Sequence, residues 1–407
     1  MRYVVIGASA SGINGAKTLR ELDQDAEIIL ISKDEDVYSR CILHHYIAGE
    51  RNIEELDFSE KDYFKKYDIQ WKEGVAVTEL DAKEDTLHLS DGQNLSYDKL
   101  LIASGASSLI PPIKNLKVAN NVVGLRNLAD AKKIKETAKE VNNAVVLGAG
   151  LVGIDALTGL LEFDLNINLV EMEDRILKQQ LDEYTANKYN QLFQGQGVKL
   201  KLGVKAKELI MDKENNPQEL LLENGERVPC DLVVVATGVR PNIRFLENSG
   251  VKTDESGLVI DKRGQTNKED IYGAGDVTGR NPIWPTAVKE GIIAANNMVG
   301  NELELDDFLG SKNTMNFLEL PTMSVGLVEA PDHTYNEEIK VEDNNYKKII
   351  HKDGQIYGAV IQGDLSYAGV LTQLIKEEID VSRIKKPLFE IDYADFFNIK
   401  ENLEYSY

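Results

Sequence analysis

The sequence predicts an α/β fold in which one strand–turn–helix–strand unit is used twice, followed by a C-terminal α+β region. Three observations carry this. A β-branched run at residues 2–6 ends in a glycine-bearing turn, and helical spacing of small and apolar residues follows over 12–22. The same arrangement restarts at Asn143, and Gly7 and Gly148 stand 141 residues apart, a period too long for a solenoid repeat. After about Asp306 the glycine turns stop, and strand-like stretches with one amphipathic helical pattern remain.

In chain order, 2–6 reads as a buried strand, 12–22 as a helix and 27–31 as a second strand. Alternation around 86–98, with Asp91-Gly92, suggests an antiparallel hairpin. Residues 100–103 form a short buried strand ending at Ser104-Gly105, and Pro111-Pro112 reads as a rigid crossing into another domain. In the second unit, 144–147 is a strand, 148–153 a turn, 154–163 a helix and 166–171 a strand. Residues 231–236 and 271–276 are further strands, the latter closing on Gly273-Ala274-Gly275-Asp276. Residues 347–363 read as strands joined through Asp353-Gly354, and 367–378 as a helix. The expected parts are 1–113, 114–240, 241–305 and 306–407, with the first and third forming one split domain.

At roughly 150 residues per domain, 407 residues allow two or three domains. The chain holds 68 acidic and 46 basic residues, a net charge of −22. Nucleic acid and anionic membrane repel such a surface, so neither is expected as a partner. No apolar run approaches the roughly 18 residues of a membrane span. Two cysteines, Cys41 and Cys230, exclude a disulfide scaffold, and without Cys-x-x-Cys they provide neither an iron–sulfur cluster nor a structural zinc site. The start of the chain lacks the apolar stretch of a signal peptide. A soluble, cytoplasmic protein is expected, with no metal site.

The chemistry is concentrated in the turns. In Gly7-Ala8-Ser9-Ala10-Ser11-Gly12, Gly7 allows a sharp exit from the strand, Ser9 stands where a small residue lets backbone approach a pyrophosphate, and Gly12 allows close helix–strand packing. The following helix N-terminus offers free amides to phosphates. The second turn, Gly148-Ala149-Gly150-Leu151-Val152-Gly153, is complete. Glu171, 23 residues beyond Gly148, ends the next strand where a carboxylate accepts from a ribose 2′-hydroxyl and repels a 2′-phosphate. This favours NADH over NADPH, although Arg175 lies close by. Two such units suggest two dinucleotides on two Rossmann-like domains.

These turns, together with Ala103-Ser104-Gly105, Ala236-Thr237-Gly238-Val239-Arg240-Pro241-Asn242 and Ile271-Tyr272-Gly273-Ala274-Gly275-Asp276, occur in one order over about three-quarters of the chain. As an ordered set they resemble the FAD-dependent pyridine nucleotide–disulfide oxidoreductases. The resemblance implies FAD on the first unit and NAD(P)H on the second. It assigns Gly7, Ser9, Gly12, Arg40, Val77, Gly105, Asp276 and Ala287 to FAD. Val77 stands at the adenine, Asp276 at the ribityl or phosphate part, and the helix opening Trp284-Pro285-Thr286-Ala287 at the flavin ring. Gly148, Gly150, Leu151, Val152, Gly153, Glu171 and Gly238 fall to NAD. The acid usual at the end of the first unit's second strand is replaced by Ser32-Lys33, and Asp34 or Glu35 is left to stand in for it.

The electron acceptor reads in more than one way. Tyr38-Ser39-Arg40-Cys41-Ile42-Leu43 resembles the flavoprotein part of nitrite reductases and rubredoxin reductases. Phe317-Leu318-Glu319-Leu320-Pro321, Ser324-Val325-Gly326-Leu327 and Gly358-Ala359-Val360-Ile361-Gln362-Gly363-Asp364 resemble the C-terminal domain of NADH-dependent electron-transfer flavoproteins. This implies electron delivery to rubredoxin or a ferredoxin-like protein. Lys347, Lys348, His351, Lys352, Arg383, Lys385 and Lys386 offer basic points for docking an acidic partner, or simply a solvated face.

Cys41, however, falls where coenzyme A-disulfide reductases and NADH oxidases carry a redox cysteine. A thiolate at a helix start beside flavin would have a lowered pKa. This leaves open a Cys41-dependent oxidase or a disulfide or persulfide reductase. Tyr46 replaces the second cysteine of a Cys-x-x-x-x-Cys pair, and the C-terminal His-Pro base is absent, since His333 with Glu338 lacks the proline. Ala10 replaces the peroxidase histidine. His44 and His45 read as a partly exposed helical pair, and Cys230 as core. A flavin-bound sensor with little turnover is a third reading. Homodimers occur in the family, which leaves that assembly open.

Overall fold

The computed structural model describes residues 1–280, 282–305 and 312–396, and the backbone of 398–399 and 405–406. The expected start of the last part, at 306, lies outside the described residues. The chain gathers into two compact units: 1–168 with 206–310, and 169–205 with 311–407. These units are cut differently from the expected FAD, NAD and C-terminal parts, because 169–205 is compact with the C-terminal sheet.

The first unit is built on a five-stranded parallel sheet in the order Ile271–Gly273, Lys99–Ile102, Arg2–Ile6, Glu27–Ile31, Gln70–Lys72. Arg2–Ile6 lies at the centre, covered on both faces, which is why it reads as an unbroken apolar run. The strand period divides its side chains. Tyr3 and Val5 pack with Ile13, Ala16 and Leu19 of the helix Ala10–Leu22 and with Ala294, Ala295 and Met298 of the helix Trp284–Met298. Val4 and Ile6 pack with Leu80, Leu87 and Leu89 of the antiparallel meander Val77–Asp81, Thr86–Leu89, Asn94–Ser96.

Within the same unit, Leu232–Val235 pairs in parallel with Asn143–Leu147 on one side and Val122–Gly124 on the other. The helix Leu151–Leu160 follows Asn143–Leu147. The helix Leu128–Ala138, which the sequence pattern did not reveal, starts on a capping box of Asn127 and Asp130. The ribbon Ala106–Ser108 with Val239–Pro241 sits where the Pro111-Pro112 crossing was expected to begin. An antiparallel sheet of Ala206–Met211, Pro217–Leu222 and Arg227–Pro229 completes the unit.

The second unit is an antiparallel sheet in the order Lys312–Phe317, Leu320–Gly326, Gln355–Gln362, Asn345–Lys352, Asn336–Glu342, with the helices Glu183–Gly195 and Ala368–Lys376. The hairpin expected at Asp353-Gly354 is present. Helix Glu183–Gly195 is tied to the sheet by Asp182. Its carboxylate accepts from Thr185 N at 3.0 Å and from Tyr346 Oη at 2.5 Å, and lies 3.8 Å from Lys348 Nζ. Lys348 also meets Glu337 at 2.9 Å and is 5% exposed. That removes Lys348 from the basic points expected for docking, because its charge is buried and already compensated. Lys386 is paired with Asp392 and Asp395 but, like Arg383 and Lys385, is exposed.

Candidate functional site

A cavity of about 550 Å³ opens in the first unit above the C-terminal ends of its central strands. One wall is the first glycine turn. Gly7 has φ +112°, and a Cβ there would lie 2.2 Å from Ala103 O, so only glycine fits. The chain then turns through Ser9, the N-cap of Ala10–Leu22, whose side chain makes no capping bond. The first amides of the helix therefore remain available to a ligand. Gly12 does not line the cavity. A Cβ on it would lie 1.8 Å from Gly7 O, so its role is to let the helix close onto the turn.

The opposite wall is polar. Arg40 donates to Asp34 Oδ2 at 2.8 Å, to Tyr38 Oη at 3.0 Å and to Arg126 O at 2.9 Å. Asp34 thus lies on the cavity wall near the position of the missing acid, whereas Glu35 does not line it. Arg126 donates from Nε to Ala106 O at 3.0 Å and from Nη2 to Asp276 Oδ2. Asp130 also lines the wall, and burial raises its carboxyl above the ordinary value. Of the residues expected at FAD, Gly7, Ser9, Arg40, Val77, Gly105, Asp276 and Ala287 all line this one cavity. Sequence reasoning missed Arg126. Its only local signal was an arginine immediately before the Asn127–Asp130 cap.

Free helix amides and a small-residue turn fit the pyrophosphate of a flavin dinucleotide, while the guanidinium groups of Arg40 and Arg126 on the wall are paired with Asp34 and Asp276. The start of the helix Trp284–Met298 also lines the cavity, through Trp284 and Ala287. Held there, FAD would supply hydride acceptance and electron release, and the chain would supply position and shielding from water.

Cys41 lies in the short turn Arg40–Ile42 and is open to the cavity. Its thiol is pushed up to about 11, first by burial, since protein surrounds its other sides, and then by Asp155, while Arg126 opposes. The lowered pKa expected from a helix start is not what the protein alone provides, because the helix is only Leu43–Ala48 and burial outweighs it. Cys230 is buried core.

The second glycine turn carries Gly148 at φ +103° and Gly150 as N-cap of Leu151–Leu160, with Leu151, Val152 and Gly153 opening the helix. Gly238, at φ +119°, is exposed. Glu171 belongs to the second unit, where its carboxylate accepts from Glu173 N at 2.9 Å.

Beside Arg40 and Arg126 a small cavity of about 30 Å³, room for one water, is lined by His44, Val152 and Asp155. His44 is more enclosed than expected, with its side chain 13% exposed and Nδ1 3.6 Å from Asp155 Oδ1. Burial pushes Asp155 up to about 7. Burial, and then His45, pushes His44 down to about 4. The two act oppositely on stability. As pH rises from 4 to 6.5, folded Asp155 keeps a proton that the unfolded chain releases, and stability is lost. Over the same range folded His44 lacks a proton that the unfolded chain still holds, and stability is gained. Asp155→Asn removes the loss. Relative to the parent, the variant should gain on the order of 2 kcal/mol between pH 4 and 7. Urea unfolding at several pH values measures this, and a pH-independent difference would contradict it.

Parallel strands ending in glycine turns over a cavity of this kind define a dinucleotide-binding fold. Residues 1–291 match the pyridine nucleotide–disulphide oxidoreductase family, and the chain belongs to it. It is accordingly an FAD-dependent NAD(P)H oxidoreductase with two Rossmann-like domains and a C-terminal α+β domain. Residues 312–379 match the rubredoxin NAD+ reductase C-terminal domain. The chain is similar to the NADH-dependent phenylglyoxylate dehydrogenase subunit epsilon of Aromatoleum evansii, with 30% identity over 400 residues, 94% of this chain and 93% of that protein. It is 30% identical over 314 residues to a 3-phenylpropionate/cinnamic acid dioxygenase ferredoxin–NAD+ reductase component of Photorhabdus laumondii, 73% of this chain and 77% of that protein. Among solved structures, an NAD-dependent persulfide reductase from A. fulgidus matches with TM-score 0.84 and 26% identity, covering 93% of this chain and 77% of that one. Among the described residues no helix is long and apolar enough to cross a membrane.

Proposed function

We propose that this enzyme takes hydride from NADH onto FAD and delivers electrons to a small redox protein, a rubredoxin or ferredoxin-like acceptor, in the cytoplasm. The observation that carries this reading is the match of 312–379 to the rubredoxin NAD+ reductase C-terminal domain. A ferredoxin reductase component among the relatives supports it. FAD is assigned to Gly7, Ser9, Gly12, Arg40, Val77, Gly105, Asp276 and Ala287, with Arg126 added. NADH is assigned to the 148–153 turn, Gly238 and Glu171. Arg383 and Lys385, both exposed, and the half-buried Lys347, His351 and Lys352 are basic points for docking.

A second reading makes Cys41 a relay to a disulfide or persulfide. The likeness to a persulfide reductase and the place of Cys41 on the cavity wall favour it. The burial that raises its thiol counts against it. Cys41→Ser separates the two. The expected result is undiminished rubredoxin reduction and flavin bleaching by about one equivalent of NADH in parent and variant alike. A second equivalent consumed by the parent and lost in the variant, together with lost persulfide turnover, would establish the relay instead.

A further inference from the structure

The stretch after Glu171 carries two cations, Arg175 and Lys178, where a 2′-phosphate on a coenzyme ribose would need one. Both are occupied. Lys178 Nζ lies 2.7 Å from Glu173 Oε2 and 3.1 Å from Asp174 Oδ1. Arg175 is 9% exposed and donates from Nε to Leu181 O at 3.2 Å. Its Nη1 is 3.6 Å from Asp174, and its Nη2 donates to Glu329 Oε1 at 2.6 Å. Glu329 follows the strand Leu320–Gly326, 154 residues later in the chain, and its own side chain is half exposed.

We propose that Glu329 is a coenzyme-selecting residue: by capturing Arg175 it denies the guanidinium to a ribose 2′-phosphate and keeps the enzyme selective for NADH. This rests on the reading of Glu171 as the ribose-binding acid. A carboxylate at Glu171 repels a phosphate, but a free arginine four residues on would offset that repulsion with a charge-assisted, fork-shaped contact. Discrimination is a difference between two affinities, so removing the attractive group matters as much as placing the repulsive one. Lys178 is held by two carboxylates of its own loop. Arg175 meets Asp174 and Leu181 of its own stretch, but its shortest carboxylate contact is with Glu329 from a different part of the chain, a residue that no coenzyme motif contains.

The test measures binding rather than turnover. ADP-ribose and 2′-phospho-ADP-ribose are titrated calorimetrically into the flavin-loaded enzyme, in the parent, Glu329→Ala, Glu329→Gln, Arg175→Met and the Glu329→Ala/Arg175→Met double variant. Thermal unfolding confirms that each is folded. Both Glu329 variants should narrow the preference for the unphosphorylated ligand about tenfold, mainly through tighter binding of the phosphorylated one. The double variant should lose that gain. Equal weakening of both ligands would overturn the proposal and leave Glu329 a mere loop anchor, as would a gain that survives removal of Arg175. Glu171→Ala isolates the underlying reading. If ADP-ribose binding does not weaken in it, the ribose assignment is wrong, while the Glu329 arm still reports whether Arg175 answers to the phosphate.

Discussion

Gly12→Val should yield a colourless protein. A single Cβ at Gly12 already falls 1.8 Å from Gly7 O and 2.9 Å from Gly7 C, both backbone atoms that no rotamer change can move. To admit valine, the N-terminal end of Ala10–Leu22 must lift off the turn by more than an ångström, and the amides that would hold the pyrophosphate move with it. Overpacking of this kind costs about 3 kcal/mol, and misplacing a binding group by about 1 Å costs roughly 100-fold in what that group does. Flavin affinity should therefore drop at least about 100-fold, with a lowered unfolding midpoint. The ratio of visible to protein absorbance after purification and reconstitution measures the first, and calorimetry the second. Gly150→Ala is the control. Nothing lies within 4 Å of a Cβ there, so the variant should keep its flavin and its stability. A yellow Gly12→Val protein of parental affinity would remove the proposed role of the first turn.

Asp276→Ala should be nearly as damaging, for a different reason. Asp276 and Arg126 pair with side chains 13% and 18% exposed, so deleting the carboxylate leaves a largely buried guanidinium without its anion. Breaking such pairs costs about 3–5 kcal/mol, and the residual exposure places this one at the low end. Loss of a charged acceptor from the cavity wall should also weaken flavin binding about 100-fold. A double variant, Arg126→Leu with Asp276→Leu, separates the effects: it should regain much of the stability, because no charge is stranded, and still fail to hold flavin. Recovery of both would mean that the pair only supports the fold. Fluorescence titration with FAD and urea unfolding provide the two readouts.

Much of the site could be read before any coordinates. The glycine turns are legible because their demands are local: a positive φ at Gly7 and Gly148 and no Cβ at Gly12 and Gly153 can be met only by particular residue types at particular spacings. The strands were legible because burial on both faces forces apolar runs. The helix Leu128–Ala138 was not, because its buried stripe of Leu128, Ala131, Ile134 and Ala138 is thin and interrupted by charge. The cysteine argument went astray for a related reason. A helix start is visible in sequence, but the burial and the Asp155 carboxylate that raise the Cys41 thiol come from elsewhere in the chain.

By itself, then, the amino-acid order determined the duplicated glycine-turn architecture, since a positive φ or a missing Cβ is a demand met within a few residues, whereas the two coenzymes and seven residues that line the cavity came from the likeness of the ordered motifs to a known family. Tertiary structure alone decided how the charges pair: Arg126 with Asp276, His44 facing Asp155, Lys348 buried against Asp182, and Arg175 held by Glu329. An ordinary charged side chain carries no local mark of its partner. Whether it becomes a ligand, a buried pair or a solvated surface group is settled by which distant segment packs against it, and by the desolvation and Coulomb energies that packing imposes.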